Sequence, residues 1–316
     1  MELSRRQVLR ALGAAGLLAV VPACSSPFAR TRLTVATGNT QGVYYTLGTA
    51  LAQTWQDRLG LDYLPEVRVT AGSVANLGLL ASGNADVAFS QVDVAADQLT
   101  APDGPHATRA LARIYDDVVH VVVAASSPIR TLADLRGARV SVGAKDSGAT
   151  VIARRLLAVA GLSPDTDLQP AQLGINDSVT AMREDRIDAF FWSGGLPTAG
   201  VNELATTTAI RLLDLDDLVS AVRDRFPVYV SGTVPARTYG IREPIATLLV
   251  RNVLLVTAAM PDDLAGALVD ALFAGQEGLA QASSAALTID PRSAIGTQPV
   301  PLHPGAAQFY RAAKTG

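Results

Sequence analysis

Short apolar strands alternate with amphipathic helices along most of this chain, and the order of these elements occurs twice. In the first passage residues 33–37 form a strand that ends at a glycine loop, and residues 44–59 have the spacing of a helix. A later apolar strand, residues 85–90, contains Asp86. Strands separated by helices of about 10 to 15 residues favour parallel sheets covered by helices. The pattern therefore predicts an α/β fold.

The second passage repeats this order. A strand over residues 140–142 ends at Gly143, a helix is predicted over 150–160, and an apolar strand over 187–192 contains Asp188. A chain of 316 residues is long enough for two domains with separate cores. We therefore expect two α/β lobes of related design.

Two extended segments are expected to join the lobes as a hinge. The first is the valine-rich stretch 118–125, and the return is predicted at 228–234, where Pro235 ends it. Helices over 244–259 and 261–275 would complete the first lobe. Two crossings would let the lobes rotate and close on a ligand. The predicted boundaries are 32–120 with 236–316 for lobe I, and 121–235 for lobe II.

Residues 1–23 have the pattern of an export signal. Arg5 and Arg6 precede an apolar run over residues 11–21, and small residues follow it. The arginine pair resembles a twin-arginine signal. A Sec signal with a chance arginine pair is the alternative.

Cys24 is the single cysteine of the chain, and it stands directly after Ala23 at the end of the apolar run. This position resembles a lipobox, in which the thiol receives diacylglycerol and becomes the mature N-terminus. Two acyl chains give stable anchoring, whereas one is marginal. We therefore predict a lipid-anchored protein with residues 24–31 as a linker; a free buried thiol is the alternative.

Composition narrows the functional class. Hydrophobic residues make up 49% of the chain, yet the longest apolar stretch, residues 11–24, is shorter than the ~20 residues that a membrane-spanning helix needs. The next candidate, residues 250–260, is predicted to be a buried helix. The net charge of −3 shows no basic excess of the kind that nucleic-acid binding requires.

Enzyme signatures are missing from the sequence. His106, His120 and His303 are too scattered for a recognisable zinc site, and His120 among valines is predicted to be a strand histidine of the core. Neither glycine loop has the spacing of a nucleotide-binding motif. Asp93, Asp146 and Lys145 are titratable but form no evident catalytic pair. We expect no catalytic residue, no metal and no cofactor.

Both glycine loops lie where a strand runs into a helix, so free backbone N–H groups at the helix start could bind an anion. In open α/β sheets ligands bind beyond the carboxyl ends of the strands. The alternatives are that these glycines only shape turns, that Ser73 is a helix cap and that the aromatic residues are core. The predicted ligand-binding residues are Thr37, Gly38, Gly42, Tyr44, Ser73, Asn76, Gln91, Ser147, Gly148 and Trp192.

The order of these motifs resembles the TAXI family, the extracytoplasmic solute receptors of tripartite (TRAP) transporters. The segments that carry the resemblance are 37–45, 72–76, 90–93, 134–143, 187–192 and 302–306. It implies a type II periplasmic-binding-protein fold, in which two α/β lobes are joined by a two-strand hinge. It also implies no catalysis, and delivery of a small organic anion, such as glutamate or a dicarboxylate, to TRAP permease subunits driven by an ion gradient.

Two departures and two alternatives accompany this resemblance. Lys145 to Ala149 replace the Pro-Gly-Ser-Gly-Thr that such receptors commonly have, which removes a hydroxyl at Ala149 and adds a charge pair. Asp185 and Arg186 replace a glycine before the strand that contains Asp188.

The alternative functions are a sensor that presents its ligand to another surface protein and an enzyme on the same bilobal fold.

Overall fold

The computed structural model describes residues 26–99 and 104–314, so the predicted export signal and Cys24 lie outside the described residues. Within these ranges ten strands form one mixed sheet. The strands are β1 Thr34–Ala36, β2 Glu66–Arg68, β3 Val87–Gln91, β4 Thr108–Ala124, β5 Arg139–Ser141, β6 Gln169–Ala171, β7 Ala189–Gly194, β8 Ile210–Leu212, β9 Val230–Val234 and β10 Ile245–Thr257.

Helices pack against this sheet. They are α1 Val43–Leu59, α2 Ser73–Ala81, α3 Val92–Asp97, α4 Gly148–Val159, α5 Pro164–Asp167, α6 Ile175–Arg183, α7 Ala199–Thr207, α8 Asp216–Arg225, α9 Asp262–Ala274, α10 Gln276–Ala282, α11 Pro291–Ala294 and α12 Pro304–Ala313.

The helical spacing predicted for residues 44–59 is confirmed by α1. Leu47, Leu51 and Trp55 recur every four residues and are all buried, so they form the face that packs on the core. Gly60 ends the helix with a φ of 61°, a left-handed conformation that glycine adopts without steric cost.

The sheet has two similar halves on either side of a central antiparallel pair. Its strand order is β2-β1-β3-β10-β4-β7-β5-β6, with β8 beside β4 and β9 beside β10. β1 is parallel to both β2 and β3, and β5 is parallel to both β6 and β7. We call the β2-β1-β3 half with α1 to α3 the first lobe, and the β7-β5-β6 half with α4 to α6 the second lobe. The predicted two-lobed α/β class is confirmed.

The two aspartates that the sequence places in matching strands make matching bonds. The Asp86 carboxylate accepts a hydrogen bond from the backbone N–H of Thr34, at 2.7 Å. The Asp188 carboxylate accepts one from the backbone N–H of Arg139, at 2.8 Å. Each aspartate therefore ties the start of its lobe's central strand to the strand beside it.

Strand β10 shows that the helices predicted over 244–259 and 250–260 are wrong. Ile245–Thr257 is extended, and it pairs with β4 on one side and with β3 and β9 on the other. The segment is almost continuously apolar, and such a run fits a buried strand as well as a buried helix. Hydrogen-bonding partners along both edges decide in favour of the strand.

The second connection between the lobes is β10, which corrects the crossing predicted at 228–234. Strand β10 pairs with β9 over Ile245–Leu249 and with β3 over Asn252–Leu255. Strand β4, whose extended character is predicted correctly, pairs with β10 and then with β7. The hinge therefore consists of β4 and β10, and the lobe boundaries at 120/121 and 235/236 stay predictions.

His120 is a core histidine, as the sequence predicts. Its side chain is 1% exposed, and its ring nitrogens lie 2.8 Å from the carbonyl oxygen of Val118 and 3.2 Å from the hydroxyl of Tyr239. Burial lowers the pKa of His120 to about 4, so the imidazole is neutral at physiological pH.

Within residues 26–99 and 104–314, no helix combines the length and apolar character that crossing a bilayer requires.

Candidate ligand-binding site

A small cavity lies between the two lobes, beyond the carboxyl ends of the parallel strands. Its volume is about 100 Å³. This is the position at which open α/β sheets bind ligands. The lining residues are Gly38, Asn39, Gly42, Val43, Tyr44, Thr70, Ala71, Gly72, Ser73, Gln91, Tyr115, Asp117, Ala144, Ser147, Gly148, Ala149, Gly174, Ile175, Trp192, Ser193 and Gly194.

Four helices begin at this cavity, two from each lobe. Their N-cap and first helical residues all belong to the lining: Gly42 and Val43 of α1, Gly72 and Ser73 of α2, Ser147 and Gly148 of α4, and Gly174 and Ile175 of α6. Ser147 caps α4 by accepting a hydrogen bond from the Thr150 N–H at 3.2 Å. The other three helices have a glycine N-cap, which supplies no side-chain acceptor.

These helix starts place partial positive charge at the cavity without any basic side chain. The first N–H groups of a helix lack intrahelical acceptors, and the helix dipole adds partial positive charge at that end. An anion near one such terminus gains about 0.3–1 kcal/mol when exposed and up to ~2 kcal/mol when partly buried. Among the described lining residues, none is Lys or Arg. A carboxylate or similar anion would therefore be held by backbone N–H groups.

Tyr44 and Ser73 form a polar wall in the first lobe. The Tyr44 hydroxyl donates to the Asn252 side-chain oxygen and lies 3.3 Å from Ser73 Oγ. Ser73 Oγ in turn accepts the Gln91 backbone N–H at 3.0 Å. Burial, and after it the nearby Asp117, raises the pKa of Tyr44 well above its usual value, so the phenol stays protonated.

Asp117, on hinge strand β4, is the charged residue of the lining. Its side chain is 3% exposed, and its Oδ2 accepts hydrogen bonds from Gln91 Nε2 at 2.7 Å and from Ser193 Oγ at 3.2 Å. Gln91 Nε2 also donates to Ser193 Oγ at 2.7 Å. Two acceptors, Asp117 Oδ1 and Gln91 Oε1, and one donor, Asn252 Nδ2, are buried and make no hydrogen bond of ordinary geometry. The site thus combines electropositive helix starts with unpaired acceptor oxygens.

Because Asp117 is buried, its ionised form destabilises the folded protein. Burial raises its pKa to about 6, and the nearby side-chain donors of Gln91, Asn252, Ser193 and Tyr115 hold the pKa below the value that burial alone would produce. No basic residue contributes to this balance. Near neutral pH the carboxylate is mostly ionised, buried and without a countercharge.

Most of the residues that the sequence predicts for binding meet at this cavity. The lining includes Gly38, Gly42, Tyr44, Ser73, Gln91, Ser147, Gly148 and Trp192. Thr37 and Asn76 are not among the lining residues. The Asn76 amide donates to the carbonyl oxygens of Thr37 and Phe89 and accepts from Thr70 Oγ1, so it ties loops of the first lobe together. Direct ligand contact by any of these residues stays a prediction.

Sequence reasoning missed Tyr115, Asp117 and Ser193. Tyr115 and Asp117 are two residues apart on β4 and therefore point to the same side of the strand. The pair Asp116-Asp117 within the otherwise mostly apolar stretch 114–123 is the signal that could have found this site, and of the two only Asp117 lines the cavity. Ser193 directly follows Trp192, which the sequence does place at the cavity.

The other titratable candidates do not form a catalytic group at the cavity. Asp93 lies outside the lining and binds Arg155 and Tyr229, whereas Lys145 and Asp146 are exposed. No cluster of three or more His, Cys, Asp or Glu side chains suited to a metal ion occurs in the part of the chain that the structure describes.

The lobes are in contact across the cavity, so the structure is closed. The Ala75 N–H of α2 donates to the Asp146 carbonyl oxygen at 3.0 Å, and Gln91 of β3 donates to Ser193 of β7. A Cβ atom at Gly148 would lie 1.9 Å from Gln91 Oε1, which shows how tightly the first lobe approaches α4.

Comparison with known proteins agrees with this architecture. XAC2383 from Xanthomonas citri, solved with bound ATP, superposes with a TM-score of 0.53 at 14% identity, over 89% of this chain and 98% of that one. The binding-protein component of an ABC phosphonate transporter from Pseudomonas aeruginosa gives a TM-score of 0.56 at 10% identity, over 81% and 78%. Residues 35–313 match the NMT1-like family. The chain therefore belongs to the NMT1-like family and has the two-lobed fold of type II periplasmic solute-binding proteins.

Proposed function

We propose that this protein is a lipid-anchored extracytoplasmic solute-binding protein that captures a small organic anion between its lobes and delivers it to a membrane permease. One observation carries the proposal: four helix N-termini, two from each lobe, meet at one cavity between the lobes. Because both lobes contribute to it, a ligand there would stabilise the closed arrangement. The ligand class is a glutamate-like amino acid or a dicarboxylate.

The size and lining of the cavity support a small polar ligand. A volume of about 100 Å³ is below the ~300–1,000 Å³ typical of pockets for drug-sized molecules. Ser73, Ser147 and Ser193 supply hydroxyl groups, and Tyr44 and Trp192 supply aromatic walls. A compact solute with a carboxylate fits this combination.

The permease is proposed to be of the TRAP type. The order of motifs along the chain supports this assignment, because it resembles that of TAXI receptors. The structure from Pseudomonas aeruginosa belongs, by its description, to an ABC transporter, which makes an ATP-driven permease the competing possibility. Uptake that stops when the ion gradient is collapsed, with ATP maintained, would favour TRAP; uptake that stops only on ATP depletion would favour ABC.

The proposed cellular location rests on the sequence pattern of residues 1–24. A twin-arginine signal and lipidation of Cys24 would place the folded protein outside the membrane and tether it there. This region lies outside the described residues, so the proposal is supported by its sequence pattern.

Calorimetric titration tests the binding function. The purified protein is titrated with amino acids, dicarboxylates, phosphonates and sulfonates, and native mass spectrometry checks first that no solute has co-purified. We expect saturable heat from at least one small carboxylate. A protein free of bound solute that binds none of these anions would contradict the proposed function.

A further inference from the structure

The chain enters the first lobe at the end of helix α1 that is remote from the cavity. Ser26 is the first residue that the structure describes, and its hydroxyl donates to the carbonyl oxygen of Leu59, the last residue of α1. Cys24, the residue that carries the proposed lipid, precedes Ser26 by two positions. An extended chain spans at most about 3.6 Å per residue, so Cys24 lies within about 7 Å of Ser26. A lipid on Cys24 therefore holds this end of the first lobe at the membrane surface.

Two loops form the surface at this end, residues 26–32 before β1 and residues 60–65 before β2. We call them the anchor face. The Asp62 N–H donates to the Ala29 carbonyl oxygen at 2.7 Å, and the Arg32 guanidinium carbon lies 3.6 Å from the centroid of the Tyr63 ring. These contacts join the two loops into one surface.

The anchor face exposes apolar side chains. Tyr63 is 46% exposed and Leu64 is 55% exposed. Six large hydrophobic side chains are exposed among the described residues, and these two are the pair that is adjacent in sequence. Single exposed apolar side chains are ordinary, but an exposed pair beside a lipid attachment point has a surface available to cover it. Tyrosine is enriched at the membrane–water interface, where its ring contacts apolar chains and its hydroxyl stays hydrated.

Two arginines flank this apolar pair. Arg30 and Arg32 belong to the anchor face, and both are exposed. The guanidinium group matches the geometry of phosphate oxygens, which every phospholipid presents at the bilayer surface. Apolar side chains next to arginines suit the boundary between the lipid phosphates and the acyl chains.

We propose that the anchor face lies on the lipid bilayer, with Tyr63 and Leu64 at the boundary of the acyl chains and Arg30 and Arg32 at the phosphates. This inference rests on the lipid anchor of the proposed function and deepens it, because it converts a tether into a fixed orientation. Two acyl chains are sufficient for stable anchoring, so the anchor face determines how the protein stands on the membrane rather than whether it stays there.

The orientation has a consequence for the ligand cavity. Helix α1 begins at the cavity with Val43 and ends at the anchor face with Leu59, and its 17 residues span about 25 Å. The cavity is therefore kept at the opposite end of α1 from the lipid, where solute arrives from the aqueous side.

A label at position 64 tests the contact on the full lipidated protein. The protein is purified from membranes, the acylation of Cys24 is verified by mass spectrometry, and vesicles of phosphatidylcholine and phosphatidylglycerol receive it. Cys24 is the single cysteine of the chain, so Leu64→Cys supplies one free thiol for an environment-sensitive dye. We expect a blue shift of the dye emission and protection from iodide quenching, relative to the same labelled protein with Cys24→Ala in buffer.

Leu287→Cys is the matched control. Leu287 is also an exposed leucine, and it lies two residues from Ala285. A Cβ atom at Gly195 would lie 2.7 Å from Val43 and 3.9 Å from Ala285, which places this segment near the cavity end of α1. The dye at position 287 should stay exposed to iodide on the same vesicles. Equal quenching at positions 64 and 287 would overturn the inference and leave the lipid anchor intact.

Charge reversal tests the part that the arginines play. Arg30→Glu combined with Arg32→Glu replaces attraction to the lipid phosphates by repulsion, and each basic residue near an anionic membrane contributes roughly a fivefold preference for the surface. The Leu64→Cys label should then lose protection from iodide. Unchanged protection would remove the arginines from the contact and overturn that part of the proposal.

Two further outcomes separate this inference from the proposed function. A purified protein whose Cys24 carries no lipid would overturn the anchor and the orientation together. Protection of the label in native membranes that contain the permease, but not on protein-free vesicles, would assign the anchor face to a protein partner and overturn the lipid contact alone.

Discussion

Arg155 of helix α4 donates to the buried carboxylate of Asp93 on helix α3, at 3.1 Å, and so joins the two lobes outside the ligand cavity. The Tyr229 hydroxyl donates to the same Asp93 oxygen at 2.6 Å, and Arg155 also pairs with Asp97. The Asp93 side chain is fully buried, whereas the Arg155 side chain is 11% exposed. A contact that the ligand does not touch therefore helps to hold the closed arrangement.

Removing this interlobe ion pair should shift the ligand-free protein toward an open form. Arg155→Met leaves Asp93 buried without its cation, and breaking a buried pair in this way typically costs about 3–5 kcal/mol. Part of that cost is relieved when the lobes separate and water reaches Asp93. We expect a larger radius of gyration by small-angle scattering, and weaker ligand binding because less of the protein is closed.

The neighbouring Arg154 provides the control for this experiment. It pairs with Asp165, and both side chains are about half exposed. Exposed pairs contribute about 0–1 kcal/mol. Arg154→Met should therefore scatter like wild type; if Arg155→Met does so too, the ion pair does not govern closure.

Gly148→Ala should obstruct closure directly. The added Cβ would lie 1.9 Å from Gln91 Oε1 and 2.6 Å from its Cδ, and the Gln91 amide is held in place by Asp117 and Ser193. Overpacking of this kind costs about 1–3 kcal/mol, so ligand affinity should fall by roughly 5- to 150-fold in calorimetry.

Gly78→Ala is the matched substitution. It lies inside α2, and no atom lies within 4 Å of the added Cβ. This variant should bind ligand normally and gain up to about 1 kcal/mol in stability from helix propensity. Equal ligand affinity in Gly148→Ala and Gly78→Ala would show that close approach at Gly148 is not needed for binding.

Asp117→Asn should stabilise the ligand-free protein at neutral pH. Burial raises the pKa of Asp117 from 3.8 to about 6. The carboxyl therefore costs no stability below the unfolded-state pKa of 3.8, where it is protonated in both states; the cost grows between pH 3.8 and about 6 and is constant above that. A shift of about two units corresponds to about 3 kcal/mol above pH ~7.

Urea unfolding from pH 4 to pH 8 measures this effect. The unfolding midpoint of Asp117→Asn should exceed that of wild type at pH 7 to 8, and the two should converge near pH 4. A variant that is less stable than wild type at every pH would mean that the carboxylate is compensated in the folded state.

Trp192 should report ligand binding by fluorescence. It lines the cavity and donates from Nε1 to Thr198 Oγ1 at 3.0 Å, whereas Trp55 is fully buried in α1 and donates to the Leu268 carbonyl oxygen at 3.1 Å. These are the two tryptophans of the chain. Trp55→Phe should retain the ligand-dependent change, and Trp192→Phe should abolish it. A change that survives in Trp192→Phe would place the reporter elsewhere.

Cys24→Ala should release the protein from membranes. Lipidation of this residue is the anchor that the sequence predicts, and the apolar stretch before it is too short to span a bilayer. Fractionation of cells without detergent should find wild type with the membranes and Cys24→Ala in the soluble extracytoplasmic fraction. Retention of the variant on membranes would point to another means of attachment.

The local sequence pattern was sufficient to predict the two lobes and the loops at the ends of their strands. The period of Leu47, Leu51 and Trp55 marks α1, and the glycines at 42 and 148 mark helix starts. These features depend on neighbours within a few residues, so the sequence contains them directly. Asp86 and Asp188 similarly reveal the relation between the lobes.

Pairing between strands that are distant in the sequence determined which segments form the hinge and which residues form the acidic part of the site. The apolar run Ile245–Thr257 is a strand because β3, β4 and β9 supply partners along both edges, and no local period distinguishes that strand from a buried helix. Asp117 meets Gln91 and Ser193 because β10 lies between β3 and β4 and β7 lies on the far side of β4. In the chain Gln91 and Asp117 are separated by 26 positions, Asp117 and Ser193 by 76, and Gln91 and Ser193 by 102. They meet at one cavity only because the order of strands in the folded sheet brings them together.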